Sequence, residues 1–323
     1  MGAIAAMGCS NRSLMNSPRI IFAGTPEFAV VSLTALIKAG ITPCAVLTQP
    51  DRPAGRGKRL AASPVKMLAE EHGIPVMQPS SLRDESVVSE LQGLQPDIIV
   101  VAAYGLLLPQ NVLDIPRAGC LNVHASLLPR WRGAAPIQAA ILAGDKQSGV
   151  CLMSMEAGLD SGPIYMSEVV AIGEHDTAGE LHDRLASTGA RLLANNIQAI
   201  VAGEVAATAQ SDALASYAPK VKSADAAMDW GRSAAELDRL VRAYNPAPGA
   251  WFMLGDERIK CWKAQPCELG DTPAGTVVAA DAEGVVIACG DGALRLEVLQ
   301  HPGKRAVTAG EFAAQTAFVG QHW

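Results

Sequence analysis

From residue 20 to residue 155, short runs of β-branched and aliphatic residues alternate with longer stretches of helical periodicity. That rhythm leaves few solutions other than a parallel sheet covered by helices on both faces. Residues 20–23 read as a first strand, Gly24-Thr25-Pro26 as its turn, and 26–39 as a helix that Gly40 stops. Strand signals follow at 42–47, 74–77, 97–103, 120–123 and 149–155, with helices at 64–72, 86–94 and 134–143 between them. The run Ile98-Ile99-Val100-Val101-Ala102-Ala103 has no polar alternation, as expected of a strand buried on both faces. A long amphipathic helix over 177–202 closes this part, and a polar, Ala-rich stretch follows it.

Beyond that stretch the pattern changes. A helix over 233–244 precedes five short strands at 249–254, 258–264, 275–280, 285–289 and 293–299, separated by Gly-Asp and Glu-Gly turns. Five such strands fit a small barrel of OB type. The expected fold class is therefore α/β, an open, mostly parallel Rossmann-like sheet domain followed by a small OB-like β-barrel domain. The boundaries drawn from it are a disordered N-terminal extension over 1–17, a catalytic domain over 18–203, a linker over 204–224, and a C-terminal domain over 225–323. With 323 residues, two domains with sizeable cores are the expectation.

Within a dozen residues the stretch Asn122 to Gly133 brings together an amide, an imidazole and a turn. Asn122 and His124 are two apart on a strand, so their side chains point to the same side of the sheet. An amide that donates a hydrogen bond, beside an imidazole that exchanges a proton near neutrality, suits attack on a carbonyl carbon with a developing oxyanion. No nucleophilic side chain is needed for such a reaction. Either residue alone reads as structural, His124 as a satisfied core histidine and Asn122 as a strand-end cap.

Asn122-x-His124 followed by Ser126-Leu127-Leu128-Pro129 and Arg132-Gly133, with Gly158-Leu159-Asp160 downstream, resembles the signature of the 10-formyltetrahydrofolate-dependent formyltransferases. A second motif, Thr48-Gln49-Pro50-Asp51-Arg52-Pro53-Ala54-Gly55-Arg56-Gly57-Lys58, is similar to the inserted loop of the branch that formylates methionyl-initiator tRNA. The resemblance runs from about Arg19 to the C-terminus. It implies a catalytic set of Asn122, His124 and Asp160, with 10-formyltetrahydrofolate as co-substrate. It implies that Ser126, Leu127, Leu128 and Pro129 hold the folate around its aminobenzoyl part, the pterin lying between residues 103–108 and 156–160. Asp160, otherwise a turn former between glycines, is expected to accept a hydrogen bond from one imidazole nitrogen and so fix the role of the other. Ala125 stands where several relatives have Gly, a change of one methyl group. The C-terminal domain is expected to bind tRNA.

The loop from Asp51 to Arg59 carries Arg52, Arg56, Lys58 and Arg59 against one Asp, a local net of +3 in a chain of net charge −6. Its prolines and glycines suggest a segment disordered alone and ordered on a phosphate backbone, whereas a solvated face is the ordinary reading of such a run. From Lys220 onward eleven basic residues face thirteen acidic ones, so an RNA face there requires clustering, with Lys220, Lys222, Lys304 and Arg305 as candidates. Gly24-Thr25-Pro26 is a poor dinucleotide turn, because Pro26 replaces the glycine whose N–H and close approach a pyrophosphate needs. It would instead line the mouth of the acceptor site.

The seven cysteines are scattered without a C-x-x-C pair, and the six histidines have no ligand spacing. Reduced thiols in a cytoplasmic protein and metal-free chemistry are the expectation. The first seventeen residues lack the basic and long apolar regions of a signal peptide, and no stretch is apolar enough to span a bilayer. A monomer is expected. The rival readings are a sibling enzyme that formylates an amino sugar or hydrolyses formyltetrahydrofolate, against which the basic loop argues, and a folate- or RNA-binding protein without activity, against which the three site residues argue.

Overall fold

The computed structural model describes residues 17–54, 59–314 and 318–322. Most of the expected N-terminal extension, and Arg56 and Lys58 of the basic loop, lie outside them, and so does the side chain of Arg59. In chain order the first domain contains β1 (Ile20–Gly24), α1 (Glu27–Lys38), β2 (Ala45–Leu47), β3 (Arg52–Ala54), β4 (Arg59–Ala61), α2 (Pro64–Glu71), β5 (Val76–Met77), α3 (Glu85–Gly93), β6 (Ile98–Ala102) and α4 (Gln110–Leu113). It continues with β7 (Cys120–His124), β8 (Arg132–Gly133), α5 (Pro136–Ala143), β9 (Gln147–Ser154), β10 (Ile164–Ala171) and α6 (Ala178–Val201).

One sheet runs β10-β9-β7-β6-β1-β2-β5, and the five strands from β5 to β7 are parallel. Every residue of β1 and β6 is buried, as their unbroken apolar runs require. Phe22, Val100, Leu121 and Val123 point to the layer holding α1, α2, α5 and α6, whereas Ile21, Ile99, Val101 and Cys120 point to the layer of α3 and α4. Because β2 and β5 lie on one side of β1 and β6 and β7 on the other, the order of strands reverses at β1. In open sheets of this kind a ligand sits at such a reversal, here between the turn after β1 and the turn after β6. The Thr25 hydroxyl donates to the Tyr104 carbonyl at 2.9 Å and ties the two turns together.

The strand expected over 149–155 is present, but β9 runs antiparallel to β7 and pairs with β10, an edge strand the apolar pattern did not reveal. β10 alternates half-buried and exposed positions and so lacks the continuous run that marked its neighbours. α6 begins at a capping box in which the Thr177 hydroxyl accepts from Glu180 N at 3.3 Å and the Glu180 carboxylate accepts from Thr177 N at 2.9 Å. Its Leu181, Leu185, Leu193 and Ile197 are fully buried at helical spacing, each contributing roughly 1.5–3 kcal/mol of transfer free energy.

After α6 come β11 (Tyr217–Ala218), α7 (Ala234–Ala243), β12 (Ala250–Leu254), β13 (Glu257–Cys267), β14 (Val277–Asp281), β15 (Gly284–Ala288), β16 (Ala293–Gln300), β17 (Val307–Thr308) and α8 (Ala309–Ala313). The five strands expected in this region are all there. They pair antiparallel in the order β12-β13-β16-β15-β14, with β17 on β16, and they enclose a core with α7 and α8. Among the described residues the pairing does not join β12 to β14, so closure of the expected OB-like barrel is not seen there. The stretch 204–224 is not a free linker. β11 pairs with β8, and Thr208 bridges to Ile164, which lays this stretch along the first domain.

Gly149 sits where β9 passes under the Glu168 carbonyl and the Leu127 side chain, and an added methyl group there would collide with both. Gly149→Ala is therefore expected to cost about 1–3 kcal/mol of unfolding free energy by overpacking. A denaturant titration checks this, and wild-type stability would contradict the packing described.

Candidate active site

On β7 the alternation places Cys120, Asn122 and His124 on the face opposite Leu121 and Val123. Cys120 is covered by the α3–α4 layer, whereas the turn after β7 folds back onto His124. That turn is held from within. Ser126 is fully buried and its hydroxyl donates to the Arg130 carbonyl at 2.7 Å. Leu128 packs with Cys151 and Met153 beneath the sheet face. Pro129 stays half-buried, and Leu127 packs against Gly149. Of the four residues expected to hold the folate, Ser126 thus spends its side chain on the turn itself, and Leu127 and Leu128 pack theirs against β9.

His124 is buried, and its Nε2 lies 3.2 Å from the Trp131 carbonyl, which can only accept. In the neutral ring Nε2 therefore carries the hydrogen, and Nδ1 is the lone pair left for a substrate. Burial pushes the imidazole below its ordinary value, opposed by the negative charge of Asp160 and by the Trp131 carbonyl. Trp131 holds this carbonyl in place at a φ of 62°. Its backbone N–H donates to the Ser216 hydroxyl at 3.0 Å and its indole N–H to Asp145 at 2.8 Å.

Because β9 is antiparallel, it ends at Ser154 opposite Leu121, not at the level of His124. The loop beyond it must climb back along the face. It does so through Asp160, whose backbone is left-handed at φ 48° and whose carboxylate accepts from Gly133 N at 2.8 Å. The expected hydrogen bond from the imidazole to Asp160 is not formed. The carboxylate acts on His124 through space while Gly133 holds it. Gly133 itself, at φ 117°, packs so closely on β11 that a Cβ would stand 2.7 Å from the Ala218 carbonyl oxygen.

The register sets Cys151 directly across from His124, which invites a cysteine-nucleophile reading. Burial pushes that thiol up to about 11, so it stays protonated and inert. Among the described residues no group of three or more His, Cys, Asp or Glu side chains is placed to hold a metal ion. Each of the two segments expected to border the pterin carries one exposed apolar side chain, Leu107 at 82% and Leu159 at 55%.

The basic loop is anchored at its base and departs there from the disorder expected of it. β3 and β4 form a short hairpin. Asp51, its one acid, pairs with Lys66 at 2.8 Å and accepts from Gln78 at 2.7 Å, which holds its carboxyl below the usual range. Exposed Arg52 donates to Gln49 at 2.8 Å, and Gln49 reaches the Tyr104 carbonyl at 3.4 Å, so the loop is continuous with the crevice. In the C-terminal domain Arg305 lies 3.4 Å from Glu311. A different basic face appears on the β12–β13 hairpin, where Arg258 stacks 3.9 Å from Trp251 and Lys260 lies 5.1 Å from Trp262. Alternate positions along β13 create it, and the net charge of the domain conceals it.

An unprotonated ring nitrogen and an amide on one strand, backed by a carboxylate and lacking an activated nucleophile, define an enzyme that transfers a group by direct attack on a carbonyl. Residues 18–197 match the formyl transferase family, and residues 220–317 match the formyl transferase C-terminal domain. The chain belongs to the formyl transferase family, as its motifs foretold. Curated methionyl-tRNA formyltransferases of Aromatoleum aromaticum and Stutzerimonas stutzeri are each 53% identical over 91% of this chain and 93% of theirs. Among solved structures, an N-formyltransferase of Helicobacter canadensis in complex with folinic acid and dTDP-3-aminofucose superposes with TM-score 0.63 at 18% identity, covering 88% of this chain and 99% of that one. HypX of Aquifex aeolicus in complex with tetrahydrofolic acid gives TM-score 0.62 at 16% identity and 95% coverage, and this chain spans 49% of its length.

With desolvation depressing it, His124 is neutral at pH 7. The stability tied to that neutral ring is complete above pH 6.5 and is lost as pH falls through the lower folded value. An NMR titration is expected to place the His124 inflection below 6.5, and one above it would reverse the sign assigned to burial.

Proposed function

We propose that the chain transfers the formyl group of 10-formyltetrahydrofolate to the α-amino group of methionyl-initiator tRNA, giving formylmethionyl-tRNA for translation initiation. The observation that carries the chemistry is the His124 ring, buried and neutral with Nδ1 free, two residues from Asn122 on the same sheet face. The acceptor follows from the basic loop and from relatives of that name that are half identical over nearly the whole chain. The protein works in the cytoplasm as a monomer, with no metal.

The folate supplies an electrophilic formyl carbon attached to its N10. The crevice suits it, since Leu107 and Leu159 offer apolar surface to the flat ring. The turn over 126–129 borders the aminobenzoyl part with Pro129 and backbone, its other side chains being engaged inside. Asn122 donates its amide hydrogen to the formyl oxygen as negative charge develops there. His124 Nδ1 takes a proton from the attacking amine and returns it to N10 as the C–N10 bond breaks. Asp160 stabilises the imidazolium formed in passing. The amine gains the formyl group, N10 gains a hydrogen, and no oxidant or metal enters the balance.

The acceptor arm is held by Arg52, Arg56, Lys58 and Arg59. In the C-terminal domain the Trp251, Arg258, Lys260 and Trp262 face is better suited to RNA than Lys304 and Arg305, because aromatic planes interleave with cations there.

His124→Ala and Asn122→Ala are each expected to lower kcat by about 100-fold or more while tRNA affinity stays within about twofold. Affinity lost in parallel with rate would remove their catalytic roles. Arg56→Ala is expected to raise KM for tRNA and flatten its salt dependence, and an unchanged kcat/KM would exclude the loop from the acceptor site. The reaction itself is checked by presenting methionyl-initiator tRNA, methionyl-elongator tRNA, an amino-sugar nucleotide and water as acceptors. Preference for a sugar or water would overturn the tRNA assignment.

A further inference from the structure

Arg132 of the site motif is only 3% exposed, and among the described residues its guanidinium pairs with neither its own element nor the seven-stranded sheet. Its partners come from the stretch joining the two domains. Gln210 Oε1 accepts from Arg132 Nε at 3.1 Å and from its Nη2 at 3.0 Å, and Asp212 pairs with Nη1 at 2.9 Å. The other end of the same Gln210 amide donates to the Asp160 carbonyl at 2.9 Å and to the Gly162 carbonyl at 2.7 Å. One amide thus closes a ring through three segments. Arg132-Gly133 holds the Asp160 carboxylate, and Gln210 holds both the Asp160 backbone and Arg132.

The geometry points to Gln210 as a positioning residue for formyl transfer, one that fixes Asp160 and, through it, His124. This rests on the catalytic reading proposed above. The physical case is the left-handed backbone of Asp160. A non-glycine residue at φ 48° costs on the order of 1 kcal/mol or more, and it persists only where its surroundings overdetermine it. The Gln210 hydrogen bonds to carbonyls 160 and 162 bracket that residue on its C-terminal side, and Gly133 N fixes its side chain. Without Gln210 the loop relaxes toward ordinary φ, and the carboxylate swings away from Gly133 and from the imidazole it supports. Gln210 touches neither substrate, so its removal spares binding and slows chemistry.

Four variants test this with the full chain, methionyl-tRNA and 10-formyltetrahydrofolate. Gln210→Ala is expected to lower kcat by about tenfold or more, with KM for both substrates within about twofold. Gln210→Glu retains an oxygen for Arg132 but loses both N–H donors, so an equal loss in kcat assigns the effect to the Asp160 loop rather than to the buried guanidinium. The double variant Gln210→Ala/Asp160→Ala is expected to be no slower than Asp160→Ala alone, since the first residue acts through the second. Additive losses, a Gln210→Glu enzyme of full activity, or a rise in KM without a fall in kcat would each overturn the inference. Circular dichroism and melting of each variant separate these outcomes from misfolding, and a melted Gln210→Ala is replaced in the comparison by Gln210→Glu. A wild-type chain inactive on methionyl-tRNA overturns the functional reading itself, whereas normal kcat in the variants of an active chain overturns the role of Gln210 alone.

Discussion

The reversal of strand order at β1 is the constraint from which the rest of this molecule follows. Strands added outward from β1 in both directions leave their loops diverging, and the gap between the turns after β1 and β6 is where a ligand fits without opening the core. The Thr25 hydroxyl on the Tyr104 carbonyl fixes the width of that gap, and Gln49 ties the base of the basic loop to the same carbonyl. Both ends of the proposed reaction, the pterin crevice and the acceptor loop, are thereby referred to a single backbone atom.

Burial gives the site its chemistry. An exposed histidine would be partly protonated at neutral pH and a poor acceptor. Placed under the folded turn, His124 is pushed toward the neutral form, and the Trp131 carbonyl selects which nitrogen keeps the hydrogen. The same dryness disarms Cys151 opposite it, whose thiol would otherwise compete as a nucleophile. Asp160 counterbalances from a distance. Its negative charge favours the protonated ring, while its carboxylate bonds Gly133 N and leaves Nδ1 unoccupied.

Local sequence revealed what local physics decides. The fully apolar strands, the capped helices and the Asn122-x-His124 pair were legible because period, cap and alternation are written within a few residues. The direction of β9 was not, since an antiparallel hairpin edge and a parallel strand share one apolar run. Nor was the partner of Asp160, which depends on how far a loop must climb after a strand that ends at the wrong level. Gln210, Asp212 and Ser216 carried no signal at all. They are ordinary polar residues in an Ala-rich stretch, and their meaning comes from a buried arginine and a tryptophan backbone some 80 residues earlier. The stretch that looked most like a spacer turned out to be part of the wall.

That stretch changes what a domain means here. The family match for the first domain ends at residue 197, before Gln210, Asp212 and the β11 strand that pairs with Arg132-Gly133. A fragment cut at such a boundary would keep the whole parallel sheet and all three proposed catalytic side chains, yet it would strip the Arg132 guanidinium of its Gln210 and Asp212 partners. The chain completes the packing around Arg132 on the way to its second domain. The two halves are therefore not modules that evolution or engineering can exchange at the point where their similarity profiles part, and a graft would have to carry the crossing segment with the half it braces.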